Sequence, residues 1–206
     1  MRESLLPTSA THAKRAVSLR ALSVQRSQRR GFTLVELMIV VVIVGILGTL
    51  AVYGTRRYIS SSKTGEAIQL ISSIKSGEEA YKDETFSYLD VTGSLKTFYP
   101  SNPKPGQAKV MWGGGDANIV ARWNSIGVQP TAPVLFVYAC RAGGPDDKVD
   151  DPSDNGDISV GNWPTTAPGT PWYVVKARAD LDSGGNLTTY VAPSFTNQIF
   201  SANEGE

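Results

Sequence analysis

From Leu34 to Val52 the chain is apolar for nineteen residues, interrupted only by Glu36, Gly45, Gly48 and Thr49. As a helix this stretch covers about 28 Å at ~1.5 Å per residue, close to the ~30 Å hydrocarbon layer of a bilayer. The pattern predicts a membrane-crossing helix. Beyond Tyr53 the pattern changes. Ile59, Ala67, Leu70, Ile71, Ile74, Gly77 and Tyr81 recur largely three, four or seven residues apart, between Lys63, Glu66, Lys75, Glu78, Glu79 and Lys82. That periodicity predicts an amphipathic helix with one packing face, too polar for lipid. Residues 32–84 are expected to form one helix on the order of 80 Å long, its first half protruding and its second half lying against a domain.

The helical period is lost at residue 85. Phe86, Tyr88, Phe98 and Tyr99 alternate with turn residues, and Pro100, Pro103, Pro105 and Gly106 exclude long regular elements. Met111-Trp112-Gly113-Gly114-Gly115-Asp116 reads as a mobile loop tip, because it lacks the Gly-Lys-Ser/Thr ending of a phosphate loop. Trp123, Ile126 and Val128 are expected to pin this connection to the core. Strand-like runs follow at Val134–Cys140, Trp172–Ala179 and Leu187–Ala192, with Asn118–Trp123 as a candidate fourth strand. The last two main runs flank Asp180–Asn186, whose glycines suit a hairpin. The expected fold class is α+β, with the long helix packed on an antiparallel sheet of three to four strands.

Charge is divided unevenly. Residues 1–31 hold seven Lys/Arg and a single acid, Glu3; without them 13 basic and 18 acidic residues remain, a net charge of about −5. By the positive-inside rule the N-terminus stays cytoplasmic and the chain beyond residue 52 is exported. No basic stripe is present to grip a nucleic acid backbone. The single histidine, His12, precedes residue 31, so the rest of the chain has no imidazole for a Ser-His or Cys-His pair or a histidine metal site. No convincing lysine- or carboxylate-based pair stands out either, and a non-enzymatic role is expected. The single cysteine, Cys140, cannot close an internal disulfide. Its expected role is a small buried apolar side chain, with an intersubunit disulfide as the alternative.

The junction between the basic segment and the apolar helix carries the most specific signal. A secretory signal has a shorter apolar core, ~7–15 residues, followed by a small-x-small cleavage site; Tyr53-Gly54-Thr55-Arg56-Arg57 offers none. Gly31-Phe32-Thr33-Leu34-Val35-Glu36-Leu37-Met38-Ile39-Val40 instead resembles the class III signal of type IV prepilins and pseudopilins, strongly over residues 29–55. The resemblance implies that a membrane-embedded prepilin peptidase cuts between Gly31 and Phe32, that the new amino group of Phe32 is methylated, and that the helix is kept for assembly. It also implies that Glu36 matches the family's assembly glutamate. The physics is coherent: an acid in a low-dielectric filament core needs a partner, and the N-terminal ammonium of a neighbouring subunit supplies one. The plainer reading is a glutamate near a helix end, snorkelling to the interface beside Arg29 and Arg30. Two departures from the family pattern are the long leader, which leaves a start nearer Val17 or Val24 open, and Tyr53 where many pilins have proline. Any bend on assembly would centre on Gly45 and Gly48, each disfavoured in a helix by ~1 kcal/mol against alanine.

The expected organisation is a leader over 1–31, a transmembrane and assembly helix over 32–53, and an exported region over 54–206 with an acidic, Pro/Gly-rich insertion at 143–169. Asp151, Asp154 and Asp157 in the insertion, with Asn155-Gly156 between them, partly resemble a calcium loop, although its twelfth residue is Asn162 rather than glutamate. Asp180 and Asp182, before Gly184-Gly185, make a second partial match. Some pseudopilins bind calcium; the competing reading is a solvated loop and an ordinary hairpin turn. No other cofactor is indicated. The function expected from the resemblance is a structural subunit of a type IV pilus, with a type II secretion pseudopilin as the alternative. A membrane-anchored binding protein that never polymerises stands as a third class. The partners implied are the prepilin peptidase/methyltransferase, other pilin subunits, the inner-membrane assembly machinery and the membrane itself.

Overall fold

A computed structural model describes residues 31–102, 105–164, 166, 168–181 and 184–204. Its compact units are the residues up to Gly45 and the residues Ile46–Glu206. One helix, α1 (Leu34–Thr85), runs through this boundary without interruption.

The start of α1 is set by a reciprocal cap. Thr33 Oγ1 accepts the Glu36 N–H at 3.2 Å, and Glu36 Oε2 accepts the Thr33 N–H at 2.8 Å. This is a capping box, which satisfies two of the donors that a helix leaves orphaned at its N-terminus. From Leu34 to Thr55 every residue is exposed, and the span is long and apolar enough to cross a membrane. Farther along, Ala67, Ile71, Ile74 and Glu78 are fully buried at spacings that keep one face inward. Ile59 is outside that face at 54% exposure, since it precedes the segment that meets the sheet. The helix ends where Phe86 takes a left-handed φ of 63° and donates its N–H to Lys82 O at 2.7 Å.

A four-stranded antiparallel meander packs on this face: β1 (Val137–Gly143), β2 (Trp172–Ala179), β3 (Thr188–Pro193) and β4 (Phe200–Ala202), in spatial order β1-β2-β3-β4. Pleating alternates the side chains between the two faces. Tyr138, Cys140, Tyr173, Val175, Ala177, Tyr190 and Ala192 join Ile71 and Ile74 of α1 in the main core. Trp172, Val174 and Val191 point the other way, onto Leu95, Val149 and Ile158.

Several expectations are corrected. Asn118–Trp123 is no strand but part of a helix, α2 (Ala117–Ser125). Asp116 decides this locally, because its carboxylate accepts the Asn118 N–H at 2.8 Å and caps the helix. The run from Val134 pairs as a strand only from Val137, while Val134 bridges to Val110. The insertion is not wholly a solvated loop, since Val149 and Ile158 are buried over the second sheet face. Trp112 likewise anchors the glycine-rich tip by stacking edge-on against Tyr99 (4.8 Å) and Trp123 (5.3 Å), leaving Gly113–Gly115 open. Trp123, Ile126 and Val128 are buried, as their apolar character requires.

Candidate functional site

At the N-terminal junction, Gly31 meets no neighbouring atom within 4 Å of an added Cβ, and Phe32 is 87% exposed. The peptide between them lies just before α1 begins, outside regular secondary structure and exposed. Residues 1–30, most of the expected leader and including Arg29, Arg30 and His12, lie outside the described residues. Among the described residues Glu36 is held by Thr33, through both the backbone N–H and the hydroxyl, each at 2.8 Å. The sequence expectations for Glu36 are an assembly acid or a snorkelling glutamate near a helix end, yet the Thr-x-x-Glu spacing also signals the capping box. One acid therefore caps the helix within its own chain and is exposed for another contact.

The described acidic candidates make contacts within the chain. Asp151 accepts the Ser153 N–H at 2.8 Å and caps a short 3-10 turn, Pro152–Asn155. Asp157 pairs with Lys176 of β2 at 2.6 Å and approaches Arg178 at 3.9 Å. Asp180 accepts from Gln107 Nε2 at 3.2 Å and from the Gly185 N–H at 3.3 Å, as the first residue of its turn. Asp182 and the side chain of Asp154 lie outside the described residues. Among the described residues no group of three or more His, Cys, Asp or Glu is placed to hold a metal ion.

Sequence reasoning missed two buried charged side chains. Lys176 is 1% exposed on the second sheet face, where it also donates to Pro152 O at 2.6 Å. Its signal was its inward parity with Trp172 and Val174 in β2. Glu78 is 0% exposed on the packing face of α1, four residues after Ile74, the position where the periodicity places an aliphatic side chain. Burial is the largest influence on Glu78 and pushes its carboxyl up to about 7 from 4.5, against the lowering effect of hydrogen bonds from Leu89 and Cys140. Cys140 is fully buried, and burial raises its thiol well above the usual range.

Residues 26–52 match the model of the prokaryotic N-terminal methylation motif. The type II secretion system core protein G of Pseudomonas aeruginosa is 36% identical over 84 residues, which are 39% of this chain and 59% of that protein. The type IV major fimbrial protein FimA of Dichelobacter nodosus is 44% identical over 50 residues, 24% of this chain and 31% of that protein. The type IV major pilin protein PilA of Myxococcus xanthus is 30% identical over 92 residues, 45% of this chain and 41% of that protein. The chain thus spans less than two thirds of the length of each of these relatives. No solved structure gives a significant match. The protein carries a prepilin-type N-terminal methylation motif on a pilin-like α+β fold, and its relatives are type IV pilins and a type II secretion core protein.

Proposed function

We propose that the chain is a structural subunit of a type IV pilus, made as a single-pass precursor with its N-terminus in the cytoplasm. In this reading the prepilin peptidase cuts between Gly31 and Phe32 and methylates the amino group of Phe32. The inner-membrane assembly machinery then packs the apolar half of α1 into a filament of like subunits. Glu36 leaves its own cap to meet the ammonium of a neighbour's Phe32. The observation that carries the reading is the wholly exposed run Leu34–Thr55 directly behind an accessible Gly31–Phe32 junction. A predominantly apolar helical span of 22 residues with nothing to cover it needs lipid first and neighbouring helices afterwards. No cofactor or catalytic step is required.

The 36% identity to a type II secretion core protein supports a second reading, a periplasmic pseudopilus built on the same helix. Intact mass of the mature protein tests the processing: loss of residues 1–31 and gain of one methyl group are expected, and an uncut N-terminus overturns both readings. Recovery of the subunit in filaments sheared from the cell surface is expected for the pilus. Retention in the periplasm together with loss of protein secretion on deletion would assign it to the pseudopilus.

A further inference from the structure

Glu78 is the point where three elements meet. It lies on the packing face of α1, its Oε2 accepts the Leu89 N–H at 2.9 Å from the segment that follows the helix, and its Oε1 accepts the Cys140 thiol of β1 at 3.3 Å. A carboxylate presents about four lone-pair sites. Here two are used, and one of these by an S–H, a weak donor.

The ionisable groups around it give an ionised Glu78 little help. Asp90 acts on it from the following segment, Glu79 from the next position on α1 and Cys140 from β1, while Tyr173 of β2 lies beside Glu79, Tyr88 and Cys140. Arg141 is engaged by Asp90 and, at 3.4 Å, by Asp150. Arg122 of α2 is turned to the carbonyls of Asp90 (3.2 Å) and Val91 (3.3 Å). Among the described residues no cation pairs with Glu78. Two acids and no described cation lie around a carboxyl that has left water, an arrangement that favours its neutral form.

We infer that Glu78 and Cys140 form a proton-operated latch: neutral Glu78 fastens the last turns of α1 to β1 and to Leu89, and ionised Glu78 loosens that junction and uncovers the Cys140 thiol. The latch goes beyond the filament reading and does not depend on it. Opening lets the carboxylate reach water, where it titrates near its ordinary value, so the open state gains population as pH rises and levels off once Glu78 is ionised in the closed state. Cys140 reports on this directly, since a buried thiol is inert until its surroundings open.

The test uses the full chain in detergent micelles and a dithiodipyridine reagent that works at acidic pH. Each rate of Cys140 modification is divided by the rate for the urea-unfolded chain at the same pH, which removes the intrinsic thiolate dependence. The normalised rate is expected to rise roughly ten- to hundredfold between about pH 5 and about pH 8. Glu78→Gln keeps a neutral acceptor for Leu89 and should give a flat profile. A flat wild-type profile, or the same rise in the variant, overturns the latch. Should the variant fail to fold, amide exchange of the wild type decides: protection at the Leu89 N–H, corrected for intrinsic exchange, must fall over this window while the Val128 N–H, bonded to Trp123 O, stays protected. Unchanged protection at Leu89 refutes the proposal.

Discussion

Lys176 Nζ lies 2.6 Å from Asp157 Oδ1, and the two side chains are 1% and 6% exposed. The pair joins the middle of β2 to the insertion between β1 and β2. It sits beside the cluster of Leu95, Val149, Ile158, Trp172, Val174 and Val191 on the second sheet face. No disulfide holds this region, because Cys140 is unpaired and on the opposite face. Removing one member of a buried ion pair strands the other charge, at a cost of about 3–5 kcal/mol, whereas replacing both by apolar groups is often close to neutral. Lys176→Met is therefore expected to lower the unfolding free energy by about 3 kcal/mol or more. Lys176→Met with Asp157→Leu should recover most of the loss. Urea unfolding of the three proteins in one detergent checks this, and a single variant as stable as the wild type would show that the pair contributes nothing.

Two glycines on α1 should respond in opposite directions to the same substitution. A Cβ on Gly77 would stand 2.1 Å from Ile126 O, where the chain leaving α2 crosses the helix. A backbone carbonyl held by that crossing cannot yield easily, so the clash outweighs the helix-propensity gain of ~1 kcal/mol. Gly77→Ala is expected to destabilise by about 2 kcal/mol, in the range of overpacked sites. Gly65 is exposed on the same helix with nothing within 4 Å of an added Cβ. Gly65→Ala should stabilise by about 0.5–1 kcal/mol. Thermal melts of both variants read the sign, and a stabilising Gly77→Ala would contradict the close approach.

These relationships mark where sequence reasoning ends. The long helix, the three main strands and the hairpin between the last two were legible because each rests on local pattern: an apolar run and then a helical period for α1, β-rich runs and turn glycines for the strands. The N-terminal junction was legible because its glycine, aromatic, acid and apolar run are contiguous. Asn118–Trp123 misled because Ile119 and Val120 suit a strand, while the deciding group was the carboxylate of Asp116 at the cap. The burial of Lys176 and Glu78 could not be read locally. Lys176 is paired with Asp157, nineteen residues earlier, and Glu78 is hydrogen-bonded by Leu89 and Cys140, eleven and sixty-two residues later. Glu36 was legible as a special acid, but its bond to Thr33 went unassigned.

Global stability should carry the mark of Glu78. Its folded-state value is raised to about 7 from 4.5, mainly by burial. A carboxyl with a raised folded value contributes stability that is fully present below about 4.5 and is lost as pH climbs to about 7. At ~1.36 kcal/mol per pH unit the wild type should lose on the order of 3 kcal/mol across that window relative to Glu78→Gln, which does not titrate there. The quantity to follow is the difference in unfolding free energy between the two proteins, which cancels the remaining carboxylates. A difference that does not change with pH would place Glu78 in contact with water.

Conservative substitutions can separate the capping role of Glu36 from the assembly role proposed for it. Its carboxylate closes the Thr33 capping box in the isolated chain, and the proposed filament pairs it with a neighbour's N-terminal ammonium. Glutamine serves in a capping box as glutamate does, accepting from the Ncap N–H, but it carries no charge. Glu36→Ala should leave cleavage after Gly31 intact by mass, because the cut peptide is exposed and five residues away, yet be absent from sheared filaments. Glu36→Gln should fail in the same way if the charge sets register, while retaining helix content close to wild type by circular dichroism. Thr33→Ala should lose about 1 kcal/mol of cap stabilisation but still assemble, since the charge at Glu36 remains. Filaments containing Glu36→Gln at wild-type levels would reduce Glu36 to a helix cap and remove the charge pairing from the assembly mechanism.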